Sequence, residues 1–182
     1  GSPSLCAASR ETPEQLRRAL WQRHIPAVLT SGTLMAGNSF DRTETLMGLS
    51  ACQRLTHFAA TSPFNYKENC LYIPSDPPQA PMGSDQEVKE LVEQICRLVE
   101  ATHGHTLALF TSYSLMGTLY KEVKDRLVFP LLVVWRHAQD VIQQFKQATN
   151  AVLFAAGSCW EGVDFPGDMV SSLIIVRLPF PV

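Results

Sequence analysis

From Thr106 to Leu178 the chain alternates short, continuously apolar runs with segments whose apolar residues recur at helical spacing, and this alternation constrains the fold most. The runs are Thr106–Phe110, Leu131–Trp135, Ala151–Ala155 and Leu173–Leu178, with helices expected over Ser114–Leu127 and Ala138–Thr149. A strand that is apolar at every position has to be covered on both faces, and helices between such strands supply the cover. The pattern therefore predicts a three-layer α/β sandwich around a mainly parallel sheet. The clearest helix precedes the first run, from Ser84 to about His103. Ser84 and Glu87 form a capping box, Val88, Leu91, Val92, Ile95, Leu98 and Val99 make the apolar stripe, and Gly104 ends it.

Upstream the signals are weaker. Thr12-Pro13-Glu14-Gln15 predicts a helix start, with Thr12 as N-cap and Gln15 closing a capping box. Its basic side, Arg17, Arg18 and Arg23, reads as a solvated face rather than a phosphate-binding one. Ile25–Leu29 is expected to be a short buried strand leading into the turn Thr30-Ser31-Gly32-Thr33-Leu34. A helix is predicted over Phe40–Leu49, capped near Asn38 or Ser39, with short strands at His57–Ala60 and Cys70–Ile73 and a loop at Pro74-Ser75-Asp76-Pro77-Pro78.

Composition bounds the function classes. The chain has 182 residues, 46% of them hydrophobic and 18% charged, enough for one sizeable core. A formal net charge of −2 excludes a generally basic nucleic-acid coat protein, so contact with phosphates has to come from a local patch or oriented backbone amides. Five separated cysteines, Cys6, Cys52, Cys70, Cys96 and Cys159, without a Cys-x-x-Cys, argue against a disulfide framework or a metal site and for a reducing compartment. The longest nearly unbroken apolar run, Leu127–Trp135, is short of the ~20 residues that span a bilayer. Gly1-Ser2 reads as a tag remnant, so residues 1–11 are taken as a disordered lead and 12–182 as the domain.

Three predicted strands end in the same punctuation: Thr30-Ser31-Gly32-Thr33 after Leu29, Thr111-Ser112-Tyr113-Ser114 after Phe110, and Ala156-Gly157-Ser158-Cys159-Trp160-Glu161-Gly162-Val163-Asp164 after Ala155. In a parallel sheet the carboxyl ends share one edge, where open α/β folds bind ligands. Hydroxyls, glycines and helix N-termini there suit phosphate; as isolated turns, the same residues are good turn formers. Glu161 and Asp164 add two carboxylates able to accept hydrogen bonds from a ribose or orient an arginine.

These segments resemble the motifs of superfamily 2 helicases of the XPD/DinG clade, over roughly Ile25 to Val182. Leu29-Thr30-Ser31-Gly32-Thr33-Leu34 is similar to motif III, and Ser39-Phe40, Leu46, Gly48-Leu49 and Ser62-Pro63-Phe64 to the stretch after that motif in the clade. Leu109-Phe110-Thr111-Ser112-Tyr113 is similar to motif IV, and Gly157 to Gly167 to the DinG form of motif V, with Arg177-Leu178-Pro179-Phe180 matching the next strand. The resemblance implies the second RecA-like motor domain of an ATP-dependent 5′-to-3′ DNA helicase, ending before motif VI. It implies Glu161, Gly162, Asp164, Ser31, Gly32 and Thr33 at the nucleotide and its coupling, and Thr111, Ser112, Tyr113, Gly157 and Ser158 at single-stranded DNA. It further implies ATP and magnesium as cofactors of the whole protein, with the magnesium ligands elsewhere and no iron–sulfur cluster in this chain. Partners would be single-stranded DNA and the first motor domain of the same polypeptide, with no membrane, in a cytoplasmic, nucleoid-associated bacterial DNA-repair protein.

No G-x-x-x-x-G-K-[ST] is present, because Val163-Asp164 follows where Lys and Ser/Thr are needed, and there is no Asp-Glu-x-His. The chain alone is therefore expected neither to hydrolyse ATP nor to unwind DNA. Two other readings stand beside this one. A non-catalytic α/β module of motor ancestry would bind protein or nucleic acid without ATP. A Cys–His hydrolase would use Cys159 after a strand, with His24, His57, His103, His105 or His137 as base, and would need Cys159 exposed.

Overall fold

The computed structural model describes residues 9–23, 25–75, 80–135 and 138–179, with the Ser158 side chain outside that description. Cys6, His24, His137, most of the loop at 76–78, most of the lead and Phe180 to Val182 also lie outside it. The chain divides into two compact units, Gly1–Ile73 and Pro74–Val182.

The second unit carries the predicted alternation. Its elements are α4 (Asp85–Ala101), β1 (Thr106–Phe110), α5 (Tyr113–Val123), β2 (Leu131–Val133), α6 (Ala138–Gln147), β3 (Val152–Ala156) and β4 (Ser172–Ile175). The four strands form one all-parallel sheet in the order β2-β3-β1-β4. β1 and β3 are the central pair and are buried at every position. Alternate side chains serve opposite faces. Ala108, Phe110, Val152, Phe154 and Ala156 meet Val92, Ile95 and Val99 of α4 and Met116, Leu119 and Val123 of α5. Leu107, Leu109, Leu153 and Ala155 meet Phe145 of α6, with Phe165 and Val170 from the long turn after β3. This is the three-layer arrangement the continuous apolar runs demanded.

Local chemistry sets the ends of these elements. Ser84 Oγ caps α4 by accepting from the Glu87 amide at 3.2 Å. Glu87 returns its carboxylate to the Gly83 amide at 2.5 Å, one residue earlier than a capping box would. Gly104 closes the same helix at φ +83°, with its amide on Val99 O at 2.9 Å. A Cβ there would lie 2.0 Å from Asn150 O, so the turn between α4 and β1 admits only glycine.

The first unit contains α1 (Thr12–Ala19), α2 (Asp41–Met47) and α3 (Tyr66–Asn69). α1 packs on the C-terminus of α2, where Gly48 turns at φ +69° and a Cβ would collide with Pro13 O at 2.0 Å. The Trp21 indole donates to Met47 O at 2.7 Å across the same contact. Leu49 is its one buried residue among those described. The predicted N-cap is corrected: Glu11 occupies that position, and Ser9 collects the bonds, accepting from Thr12 Oγ1 at 2.8 Å and from Gln15 Nε2 at 3.3 Å. Arg17 and Arg18 both grip Glu14, at 2.7 and 2.6 Å, and these hydrogen bonds hold its carboxyl at about 2.

Three expected strands are absent among the described residues. Ile25–Leu29 is irregular and exposed, Ile25 to 62% and Val28 to 91%. Pro26 has no N–H to give to a ladder, and no strand pairs with this run among the described residues. His57–Ala60 and Cys70–Ile73 are likewise irregular, with Phe58 exposed to 88% and Leu71 to 84%.

Candidate functional site

Parallel register places two of the three predicted turns side by side. Phe110 is paired with Ala156, so Thr111 and Gly157 leave adjacent strands at the carboxyl edge of the sheet. After β1 the chain enters α5 within two residues. Ser112 is extended, and its Oγ accepts from the Leu115 amide at 3.4 Å as the helix N-cap. Thr111 is exposed, Ser112 partly buried, and Tyr113 is exposed to 49%. The free N–H groups of the first turn of α5 and its positive dipole end stand at this edge.

After β3 the chain makes a single 3-10 turn, Gly157–Trp160. Gly157 lies at φ +63°, and a Cβ on it would approach the Tyr113 hydroxyl to 3.1 Å. Both the backbone and the neighbouring ring thus favour glycine here. The Trp160 indole N–H donates to Phe110 O at 3.0 Å and ties this turn to the end of β1. Gly157, Tyr113 and Trp160 make the two turns one packed unit.

Beyond Trp160 the chain emerges to solvent. Glu161 and Asp164 are both exposed, and Gly162 between them is at φ +74°. Neither carboxylate has a cation within 4.0 Å among the described residues. The following residue, Phe165, anchors the loop edge-on against Phe145 at 5.4 Å, with Lys146 Nζ 5.8 Å from its ring centre. The loop then reaches the opposite edge of the sheet, where His105 Nδ1 donates to Asp168 O at 2.7 Å. The two acids are therefore presented to solvent by an anchored loop, with no ion-pair partner among the described residues.

The third predicted turn does not follow a strand of this sheet. Ser31, Gly32 and Thr33 belong to the first unit, where Ser31 Oγ accepts from the Thr33 amide at 3.2 Å. All three residues are exposed. Thr43 Oγ1 donates to Leu34 O at 2.6 Å and fixes the end of that turn to α2. The expectation of three turns leaving one sheet thus becomes two.

Residues 95–182 match the family model described as the helicase C-terminal domain. The chain is similar to the ATP-dependent helicase DinG of Mycobacterium tuberculosis, 33% identical over 156 residues, covering 85% of this chain and 23% of the relative. It is also similar to the ATP-dependent DNA helicase DinG of Photobacterium profundum, 32% identical over 185 aligned residues, covering 94% and 26%. The ATP-dependent DNA helicase YoaA of Escherichia coli is 30% identical over 155 residues, covering 84% and 24%. The chain carries a helicase C-terminal domain of the DinG type. It spans about a quarter of the length of these curated relatives. In the DinG-type domain, Thr111–Tyr113 and Gly157–Gly167 are the turns that resemble motifs IV and V, and the four-stranded parallel sheet agrees with a RecA-like fold.

The hydrolase reading is overturned by burial. Cys159 is only 5% exposed and packs with the cluster beneath the sheet, in a 3-10 turn rather than at the head of a helix. A nucleophilic thiol needs access to its substrate, and this burial denies it. Among the described residues no group of three or more His, Cys, Asp or Glu side chains could hold a metal ion, and no helix is long and apolar enough to cross a membrane.

Two contacts that hold the DinG-type domain together escape sequence reading. Trp160 supplies a hydrogen bond fifty residues away in the chain, which no local pattern encodes. Glu87 pairs with Arg177 at 2.5 Å, across ninety residues, although the capping box that contains Glu87 is plain. Burial pushes that carboxyl up, but the Gly83 amide and the Arg177 guanidinium outweigh it and hold it below the ordinary glutamate range.

Proposed function

We propose that this DinG-type domain is the second RecA-like motor domain of an ATP-dependent 5′-to-3′ DNA helicase. One observation carries the reading: the Thr111–Tyr113 and Gly157–Trp160 turns are locked together at the carboxyl edge of one parallel sheet. On the loop that follows the second turn, Glu161 and Asp164 stand exposed.

The division of labour follows from the chemistry at the edge. Thr111 and Ser112 offer hydroxyl donors, and Tyr113, Gly157 and Ser158 add backbone amides from the same two turns, which suits the phosphates of single-stranded DNA. The Ser112 oxygen accepts the cap bond, and its proton stays available for a phosphate. Asp164 and Glu161 face the nucleotide, with Gly162 admitting close backbone approach and Asp164 orienting an arginine of the motor. Ser31, Gly32 and Thr33 couple nucleotide state to the strand grip. The sequence has no Asp-Glu-x-His to hold magnesium, so its ligands are assigned to the companion motor domain of the same polypeptide. Closure of the two motor domains on ATP, and reopening after hydrolysis, moves one of them along the strand. This chain alone lacks a phosphate-cradling lysine loop and neither turns over ATP nor unwinds DNA; turnover by the purified chain would overturn that.

The test is Thr111→Ala in the full-length protein. Loss of one neutral hydrogen bond to phosphate weakens single-stranded DNA binding, with DNA-independent ATPase kept and the dependence of binding on salt unchanged. Ser112→Ala does the same but also removes a helix cap worth about 1 kcal/mol, so its melting temperature is read alongside. Unchanged affinity in both variants would move the DNA track off this edge.

A further inference from the structure

We infer that Trp135 is a base-stacking residue that extends the single-stranded DNA track from Tyr113 along α5 toward the outer strand. The inference rests on the reading of the edge as a DNA track. Three observations carry it.

The first is position. β2 is parallel to β3, with Val133 paired to Phe154, so Trp135 leaves the sheet at the same carboxyl edge as Gly157 and Thr111. The second is how the ring is held. A Cβ on Gly117 would lie 3.0 Å from the far tip of the Trp135 six-membered ring, so the indole rests in a notch on α5 that any larger residue would crowd. Tyr120 meets it edge-on, ring centres 6.5 Å apart at 87°. Tyr113 and Gly117 are four residues apart on α5, hence neighbours on one helix face about 6 Å apart. Tyr113 and Trp135 thus stand in succession along the same face.

The third is exposure. Trp135 is exposed to 45% and Tyr113 to 49%, although each is fixed by packing at one end. The other two tryptophans are anchored through the indole N–H, Trp21 on Met47 O and Trp160 on Phe110 O. Trp135 is instead held by ring contacts, which restrict its orientation and leave indole surface to solvent. A ring oriented in this way stacks on a base at low entropic cost, and it does so for any base because each has a π-face. The net charge of −2 makes such an uncharged contact useful, since it does not depend on a basic groove.

The test compares Trp135→Ala, Trp135→Phe and Thr111→Ala in the full-length protein, titrated with a single-stranded oligothymidylate at several salt concentrations. Trp135→Ala is expected to weaken binding about 5- to 160-fold, the range of one lost base stack, with the salt dependence unchanged. Trp135→Phe is expected to recover most of the affinity. Binding by Trp135→Ala within twofold of the parent, with Thr111→Ala weakened, overturns this inference and leaves the track in place. No effect of either substitution, or no binding by the parent, overturns the track and this inference together. Weak binding by Trp135→Phe equal to that of Trp135→Ala, with both melting early, makes Trp135 scaffold only and likewise overturns the proposal.

Discussion

Removing Glu87 tests whether the chain leaving β4 is held to the first turn of α4 by an ion pair. Glu87 is 3% exposed, and its carboxylate binds both the Gly83 amide and the Arg177 guanidinium, each at 2.5 Å. Breaking a buried pair by deleting one partner costs about 3–5 kcal/mol when the remaining charge stays dry. Arg177 keeps 28% exposure, so water takes over part of its solvation and the low end applies. Glu87→Ala is therefore expected to destabilise the second unit by about 3 kcal/mol at pH 7, a fall in melting temperature on the order of 10 °C. The folded carboxyl sits below its ordinary range, so its contribution is full above the unfolded value of about 4.3 and is lost as pH falls through the folded one. The gap between parent and Glu87→Ala should hold from pH 7 to about 5 and narrow as the pH falls further through the folded value. Glu87→Gln, which keeps an oxygen for the Gly83 amide, should lie between them. Urea denaturation followed by far-ultraviolet circular dichroism across that pH range gives the comparison. A difference under about 0.5 kcal/mol at pH 7, or one that widens in acid, would refute the reasoning.

Two glycine substitutions probe the turns. Gly104→Ala forces a Cβ to 2.0 Å from Asn150 O at φ +83°, so it should cost more than about 3 kcal/mol in denaturant unfolding and yield little folded protein. Gly157→Ala meets a movable hydroxyl at 3.1 Å instead, so about 1–2 kcal/mol is expected from the left-handed backbone. Combining it with Tyr113→Phe should recover only the part due to the contact, read as a double-mutant coupling of about 0.5 kcal/mol or more.

The legible part of the fold is the part where burial is continuous. Thr106–Phe110 matches its predicted bounds because both faces are covered, leaving no ambiguity of period. β2 stops at Val133, and β4 is Ser172–Ile175, because edge strands pair on one side and fray earlier than an apolar run suggests. Ile25–Leu29 has the composition of a buried strand, but a strand also needs a neighbour, and composition carries no record of one. The pairing of the Thr111–Tyr113 and Gly157–Trp160 turns at one edge was legible because glycines and hydroxyls at strand ends are local signals. Trp160 on Phe110 O, Glu87 on Arg177, and Trp135 over Gly117 are contacts between distant segments, which emerge only once the sheet order is known.

The central claim is that the carboxyl edge of the β2-β3-β1-β4 sheet couples nucleotide to DNA, and Asp164 is its most direct probe. Asp164 is exposed and packs little apolar surface, so Asp164→Ala in the full-length protein should leave the melting temperature unchanged. DNA-stimulated ATP turnover should fall at least about tenfold, equivalent to about 1.4 kcal/mol of lost transition-state stabilisation. Turnover near that of the parent, in a protein that still binds single-stranded DNA, would contradict the account.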